Sequence, residues 1–128
     1  MQCHAGADQR DLVVRAGAND LGPADELKRD GISARVVDLY SVKPIDTQTL
    51  LDAAAATRDR MVVVEDHYPA GGIGGAVLEA LNDAGHPVRV SHLAVRGLPG
   101  SGTPAELMRA AGISAAHIVE AARKILAA

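Results

Sequence analysis

Apolar and polar positions follow two different periods along the chain, and each change of period marks a new element. The clearest apolar run, Met61 to Val64, is unbroken and mostly β-branched, which is typical of a strand buried on both faces of a parallel sheet. Shorter runs within Asp11 to Gly17, Ile32 to Tyr40 and Val88 to Val95 predict three further strands. Residues spaced three and four apart lie between these runs and predict helices.

Two helices are predicted before the central strand. The first covers Ala24 to Lys28. The second covers Thr47 to Thr57, and Asp46 stands where an N-cap residue is preferred. The second helix is predicted to face the core with the apolar residues Leu50, Leu51, Ala54 and Ala55.

Three more helices are predicted after the central strand. The first of them can be closed by Gly85, and its inward face holds Ile73, Val77, Leu78 and Leu81. The next begins at Thr103 to Glu106, which has a capping-box pattern with proline at the first helical position, and it ends at Gly112. Ser114 caps the last helix, whose inward face holds Ile118, Ala121, Ala122 and Ile125.

Strands that alternate with helices imply right-handed crossovers and a mostly parallel sheet between helical layers. The predicted fold class is therefore α/β, a three-layer α/β/α sandwich. Residues 1–10 are polar and unpatterned, and we expect a flexible N-terminal lead-in there. Residues 11–128 are predicted to form one domain, because 128 residues suffice for a single core.

The composition argues against nucleic acids and membranes as binding partners. The formal net charge is -3, and the scattered Lys and Arg residues argue against a nucleic-acid or anionic-membrane surface. The chain has no Phe or Trp, so it offers almost no ring surface for stacking bases. No apolar run approaches the ~20 residues that span a bilayer. Cys3 is the single cysteine and cannot form an intramolecular disulfide, so a cytoplasmic location is expected.

Three polar residues, Glu65, Asp66 and His67, end the central strand at the edge where α/β sheets usually place ligands or partner contacts. A carboxylate beside an imidazole can orient it, so an acid/base or metal cluster is one interpretation. Neighbouring residues on a strand point to alternate sides, however, and this favours a polar strand end that bonds to backbone or to a partner subunit.

Glycines crowd the turn that follows, at Gly71, Gly72, Gly74 and Gly75. Successive backbone amides at a helix N-terminus can bind phosphate, but Val77 stands where the dinucleotide pattern requires Gly or Ala, and the preceding carboxylates would repel an anion. The pattern favours a tight, closely packed strand-to-helix junction, with a subunit contact as the alternative. The segment Gly97 to Thr103 has P-loop glycine spacing but lacks the lysine.

Isolated histidines and a missing nucleophile motif argue against an independent active site. His86, His92 and His117 have no sequence neighbours suited to catalysis or metal binding, and we expect structural or solvated roles for them. Cys3 and His4 have no further ligands at metal-site spacing. The GxSxG pattern of a nucleophile elbow does not occur, so no convergent nucleophile and base are predicted.

Three blocks of the chain resemble the C-terminal domain of transketolase, the thiamine-diphosphate enzyme of the pentose phosphate pathway. They are ISARVVDLYSVKPID (Ile32 to Asp46), VVVEDHYPAGGIGGAVLEAL (Val62 to Leu81) and VSHLAVRGLPGSGTPAELMRAAGISAAHIVEAAR (Val90 to Arg123). Their order and spacing fit the family as well. The motifs DLYSVKPID, EDHYPAGGIG and SGTPAELM carry the resemblance.

The resemblance implies a sheet of about five strands, one edge strand antiparallel, within a larger homodimeric transferase. It implies that thiamine diphosphate and Mg²⁺ are bound by the domains that precede this one, so this chain alone binds no cofactor and carries no catalytic residue. The partners implied are the transketolase N-terminal and pyrimidine-binding domains or a second copy. The family's motif residues map onto candidate structural and interface positions: Glu65, Asp66, His67, Gly71, Gly72 and Gly74.

Three hypotheses for function follow. The first is a C-terminal domain of a transketolase that supports architecture, dimer contacts or regulation and does not transfer a two-carbon ketol unit between sugar phosphates when alone. The alternative is a stand-alone ligand- or protein-binding scaffold module of the same fold. An independent enzyme is the third and weakest interpretation, because no convergent nucleophile and base are predicted.

Overall fold

The computed structural model describes residues 11–15, 22–39 and 41–127, with side chains from residue 22 onward. The lead-in predicted at residues 1–10 lies outside them. Within these described residues, four strands and five helices follow in chain order: β1 (Asp11–Arg15), α1 (Gly22–Arg29), β2 (Ser33–Val36), α2 (Thr47–Ala56), β3 (Arg60–Val64), α3 (Ile73–Asp83), β4 (Arg89–Leu93), α4 (Pro104–Ala111) and α5 (Ala115–Ala127).

The four strands form one parallel sheet in the order β2-β1-β3-β4. Strand β3 is central, and its apolar side chains alternate between the two faces of the sheet. Val62 and Val64 enter the core under α1 and α5, whereas Met61 and Val63 enter the core under α2 and α3. The predicted three-layer α/β/α sandwich is confirmed, and a strand buried on both faces is what the unbroken run at Met61 indicated.

The sheet differs from the prediction in width and strand length. The resemblance implied about five strands with one antiparallel, but the sheet in the described part of the chain has four, all parallel. After β4 the chain enters the exposed segment 96–102, whose glycines and proline disfavour a sheet ladder. The strand predicted over Ile32 to Tyr40 extends only from Ser33 to Val36, and Val88 to Val95 only from Arg89 to Leu93.

Helix ends agree closely with the predictions. The Asp46 side chain accepts a hydrogen bond from the Thr49 amide at 3.1 Å, as an N-cap does. The full capping box between Thr103 and Glu106 is present, and Gly112 ends α4 with a φ of 76°. Such a left-handed residue favours glycine because a Cβ would clash there.

Two inward faces were predicted partly wrong. In α2 the buried residues are Leu50, Ala53 and Ala54, while Ala55 is exposed. In α3 the buried positions are Gly74, Val77, Ala80 and Leu81, while Leu78 is 43% exposed. In both helices small residues face the sheet, because alanine and glycine let a helix approach the strands closely. Within the described residues, none of the helices combines the length and apolarity that crossing a bilayer requires.

Candidate functional site

Glu65 follows directly after β3 and is only 3% exposed. Its amide donates to the Leu93 carbonyl at 3.0 Å, which continues the pairing with β4 beyond the strand. Its carboxylate accepts hydrogen bonds from the first amides of α3: Oε1 from Ile73 at 2.9 Å and Oε2 from Gly74 at 2.6 Å. A carboxylate here is stabilised because the N-terminus of a helix carries a partial positive charge.

His92 is the third partner of this carboxylate. Its Nε2 lies 2.6 Å from Oε2 of Glu65, and its side chain is 15% exposed. The parallel register pairs His92 with Val63, which places the imidazole at the same edge of the sheet as Glu65. We call the arrangement of Glu65, His92 and the first turn of α3 the carboxylate corner. A buried carboxylate that receives several donors is strongly held, because hydrogen bonds to a charged group contribute about 1.5–3 kcal/mol each.

Glycines make the carboxylate corner sterically possible. A Cβ on Gly74 would overlap the His92 imidazole, and a Cβ on Gly72 would overlap the Glu65 carboxylate. Gly71 has a φ of 76°, a backbone conformation that L side chains rarely adopt. The glycine cluster therefore serves a close packing of strand, helix and imidazole.

Asp66 and His67 lie at the surface beside the carboxylate corner. Both are exposed; Nδ1 of His67 lies 2.6 Å from the Tyr68 carbonyl and 3.7 Å from Oε1 of Glu65. Tyr68 is 51% exposed. Glu65 is therefore buried while the two residues after it are exposed, because the chain has left the strand and bends at Asp66 and His67.

A cavity of about 520 Å³ lies beside Asp66, between α4 and the loop that follows β4. Its wall is mostly apolar and includes Val95, Met108 and Ile113. Arg96 stands at its rim and donates from Nη2 to the His92 carbonyl at 2.9 Å, which connects the rim to β4. Leu98 also lines the cavity and is 95% exposed.

The histidines that seemed isolated in the sequence each have a partner. His92 pairs with Glu65, His86 Nε2 lies 2.6 Å from Oδ1 of Asp59, and Nδ1 of His117 lies 2.6 Å from Oγ of Ser114. The pairing of His92 with Glu65 was not predicted, because the two residues are 27 positions apart. Strand register is the signal that could have found it, since adjacent parallel strands bring their carboxyl ends together.

The carboxylate corner does not suit thiamine diphosphate and its magnesium ion. The amides of Ile73 and Gly74 already donate to Glu65, and the negative charge of that side chain would repel a phosphate. Among the residues that the structure describes, no three His, Cys, Asp or Glu side chains are grouped to hold a metal ion. The donors present therefore fit a self-contained structural corner.

Comparison with known proteins places this geometry in context. The family model described as "Transketolase, C-terminal domain" matches residues 21–118. The chain is 49% identical over 117 residues to a transketolase-like protein 1 of Bos taurus, which covers 89% of this chain and 20% of that protein. It is 44% identical over 123 residues to a transketolase of Mus musculus, covering 93% of this chain and 19% of that protein. The chain thus spans about a fifth of the length of these relatives.

A solved structure shows the same fold. It is described as "Split gene transketolase, inactive beta4 tetramer" and superposes with a TM-score of 0.83 at 35% sequence identity. The match covers 94% of this chain and 40% of that one. The resemblance drawn from the three sequence blocks is therefore confirmed.

Proposed function

Since this chain belongs to the transketolase C-terminal domain family, we propose that it acts as the C-terminal module of an enzyme that transfers a two-carbon ketol unit between sugar phosphates. The observation that carries the proposal is the family match over residues 21–118 in a chain that spans about a fifth of its relatives. When bound, thiamine diphosphate would supply the chemistry that breaks and forms the carbon–carbon bond. Other domains would hold that cofactor.

The proposal assigns no catalysis to this chain alone. The split-gene relative supports it, because that protein is described as an inactive tetramer. The carboxylate corner supports it too, because its polar groups are hydrogen-bonded to one another at a position where α/β enzymes often bind ligands.

The role of this chain is then to support assembly in the pentose phosphate enzyme. Glu65, Gly72 and Gly74 hold the corner from inside, and Asp66, His67 and Gly71 present its outer surface to the N-terminal and pyrimidine-binding domains or to a second copy. The half-exposed Tyr68 between them favours this, because tyrosine is enriched in protein interfaces. A homodimeric parent in the cytoplasm is part of the proposal; the single cysteine fits a reducing compartment.

A chimera tests the proposal. The segment of Mus musculus transketolase that this chain matches is replaced by residues 1–128, and a second variant simply lacks that segment. With thiamine diphosphate and Mg²⁺ supplied, we expect ketol transfer from a ketose phosphate to an aldose phosphate in the chimera and none in the deletion variant. The isolated chain is expected to be inactive under the same conditions.

Two outcomes would contradict the proposal. One is a folded chimera that is as inactive as the deletion variant, which would favour the alternative of a stand-alone binding module. The other is ketol transfer by the isolated 128-residue chain. A chimera carrying Asp66→Ala and His67→Ala tests the outer surface, since we expect it to dissociate into monomers more readily than the parent chimera in sedimentation measurements.

A further inference from the structure

A second polar cluster lies at the amino end of the sheet, opposite the carboxylate corner. Two turns meet there, one between α2 and β3 and the other between α3 and β4. They enclose an open cleft of about 530 Å³, which is lined by Arg58, Asp59, Arg60, Pro87, Val88 and Arg89. We call it the arginine cleft.

Two hydrogen bonds join the turns into one unit. The Arg89 amide donates to the Asp59 carbonyl at 2.7 Å, and Nε2 of His86 lies 2.6 Å from the Asp59 carboxylate. The arginine cleft is therefore built before any ligand arrives, which lowers the entropic cost of binding.

Positive charge exceeds negative charge in the arginine cleft, because three arginines line it together with one carboxylate, that of Asp59. Arg60 and Arg89 are register partners on neighbouring strands, which lie about 4.8 Å apart. Their positively charged side chains therefore leave the backbone side by side. Asp59, the acidic residue of the lining, faces His86. This concentration of charge stands out in a chain with a formal net charge of -3.

The backbone of the cleft is strained as well. Arg58 and Asp59 have φ angles of 52° and 61°, in the left-handed region where glycine is the favoured residue. Non-glycine residues in this conformation concentrate at ligand sites and switch regions. Glycine would fit the backbone at Arg58 with less strain.

We propose that the arginine cleft binds a small molecule carrying a phosphate monoester or diphosphate. A guanidinium group can donate two parallel N–H hydrogen bonds to the oxygens of one phosphate. A phosphate with two negative charges also neutralises more of the charge of several arginines than a single carboxylate can. The site lies at the other end of the sheet from the surface proposed for assembly, so it goes beyond the function proposed above and does not depend on it.

Calorimetric titration of the full 128-residue chain with inorganic pyrophosphate at low ionic strength tests the site. We expect saturable binding with one site per chain that weakens as salt is added. Arg89→Gln is expected to raise the dissociation constant about tenfold, because it removes one charge-assisted contact. Arg35→Gln, which removes an exposed arginine of β2 outside the cleft, should change it less than about twofold. Acetate should bind far more weakly than pyrophosphate.

Three results would overturn the proposal: no saturable binding of pyrophosphate, equal weakening by Arg89→Gln and Arg35→Gln, or equal affinity for acetate and pyrophosphate. Equal weakening would mean that overall charge alone attracts the anion. Arg58→Gln provides a second variant on the exposed side of the cleft, and circular dichroism with urea unfolding verifies that each variant is folded.

Discussion

The close approach of Gly74 to His92 leads to a prediction with a built-in control. Gly74 and Gly75 are neighbours on the first turn of α3, and alanine is the better helix former at both positions by about 1 kcal/mol. A Cβ on Gly75 meets nothing within 4 Å, whereas a Cβ on Gly74 overlaps the His92 imidazole. The same substitution at adjacent residues should therefore change stability in opposite directions.

The magnitude follows from what His92 must give up. To admit the Gly74→Ala methyl group, the imidazole has to leave Oε2 of Glu65, which costs about 1.5–3 kcal/mol for a hydrogen bond to a charged group. Displacing packed neighbours adds about 1–3 kcal/mol, and the gain in helix propensity returns about 1 kcal/mol. We expect Gly74→Ala to lower the free energy of unfolding by about 2 kcal/mol or more, and Gly75→Ala to raise it by up to about 1 kcal/mol.

Urea unfolding of both variants, followed by far-UV circular dichroism, measures these values. A double-mutant cycle with His92→Ala isolates the cause, because Gly74→Ala should no longer be destabilising once the imidazole is gone. Equal midpoints for Gly74→Ala and Gly75→Ala, or a full cost of Gly74→Ala in the His92→Ala background, would refute the steric reasoning.

Two more predictions concern carboxylates. Glu65→Gln should lower the free energy of unfolding in urea titration by about 1–3 kcal/mol, because the new NH₂ group cannot accept a hydrogen bond from a backbone amide. His67→Ala, at an exposed residue, should change it by less than about 0.5 kcal/mol. Similar losses for the two variants would contradict the structural role of the corner. The Thr49 side chain and amide donate to Asp46 and lower its pKa, so the stability from this cap is present at neutral pH and disappears as the pH falls through the lowered pKa. Thermal melts should show Asp46→Ala less stable than the parent at pH 7, with a gap that narrows as the pH is lowered below the usual pKa of aspartate, whereas a constant gap would argue against the cap.

Local chemistry made much of the fold predictable from the sequence. The run at Met61 indicated a central buried strand, and the pattern at Thr103 to Glu106 fixed the start of α4, because a capping box is satisfied by residues within one turn. The rotation of α3, which leaves Leu78 exposed and buries Ala80, was not predictable from period alone. It depends on how closely the helix packs on β3, which is a tertiary property.

The two polar clusters could be predicted only in part. Glu65 and the glycines were recognisable because they lie within ten residues of one another. His92 and Arg89 reach their partners through the register of β3 with β4, and no local pattern encodes that register. At both ends of the sheet, the contacts that could not be predicted from the sequence are therefore those that depend on strand pairing.

The alternation of side chains along β3 has a consequence for how the domain unfolds. Met61 and Val63 pack beneath one pair of helices, while Val62 and Val64 pack beneath the other pair. Neither helical layer can detach without exposing part of the strand that the opposite layer also requires. The two hydrophobic cores consequently share strand β3. A substitution that loosens either core should therefore lower the stability of the whole domain, and not of one layer alone.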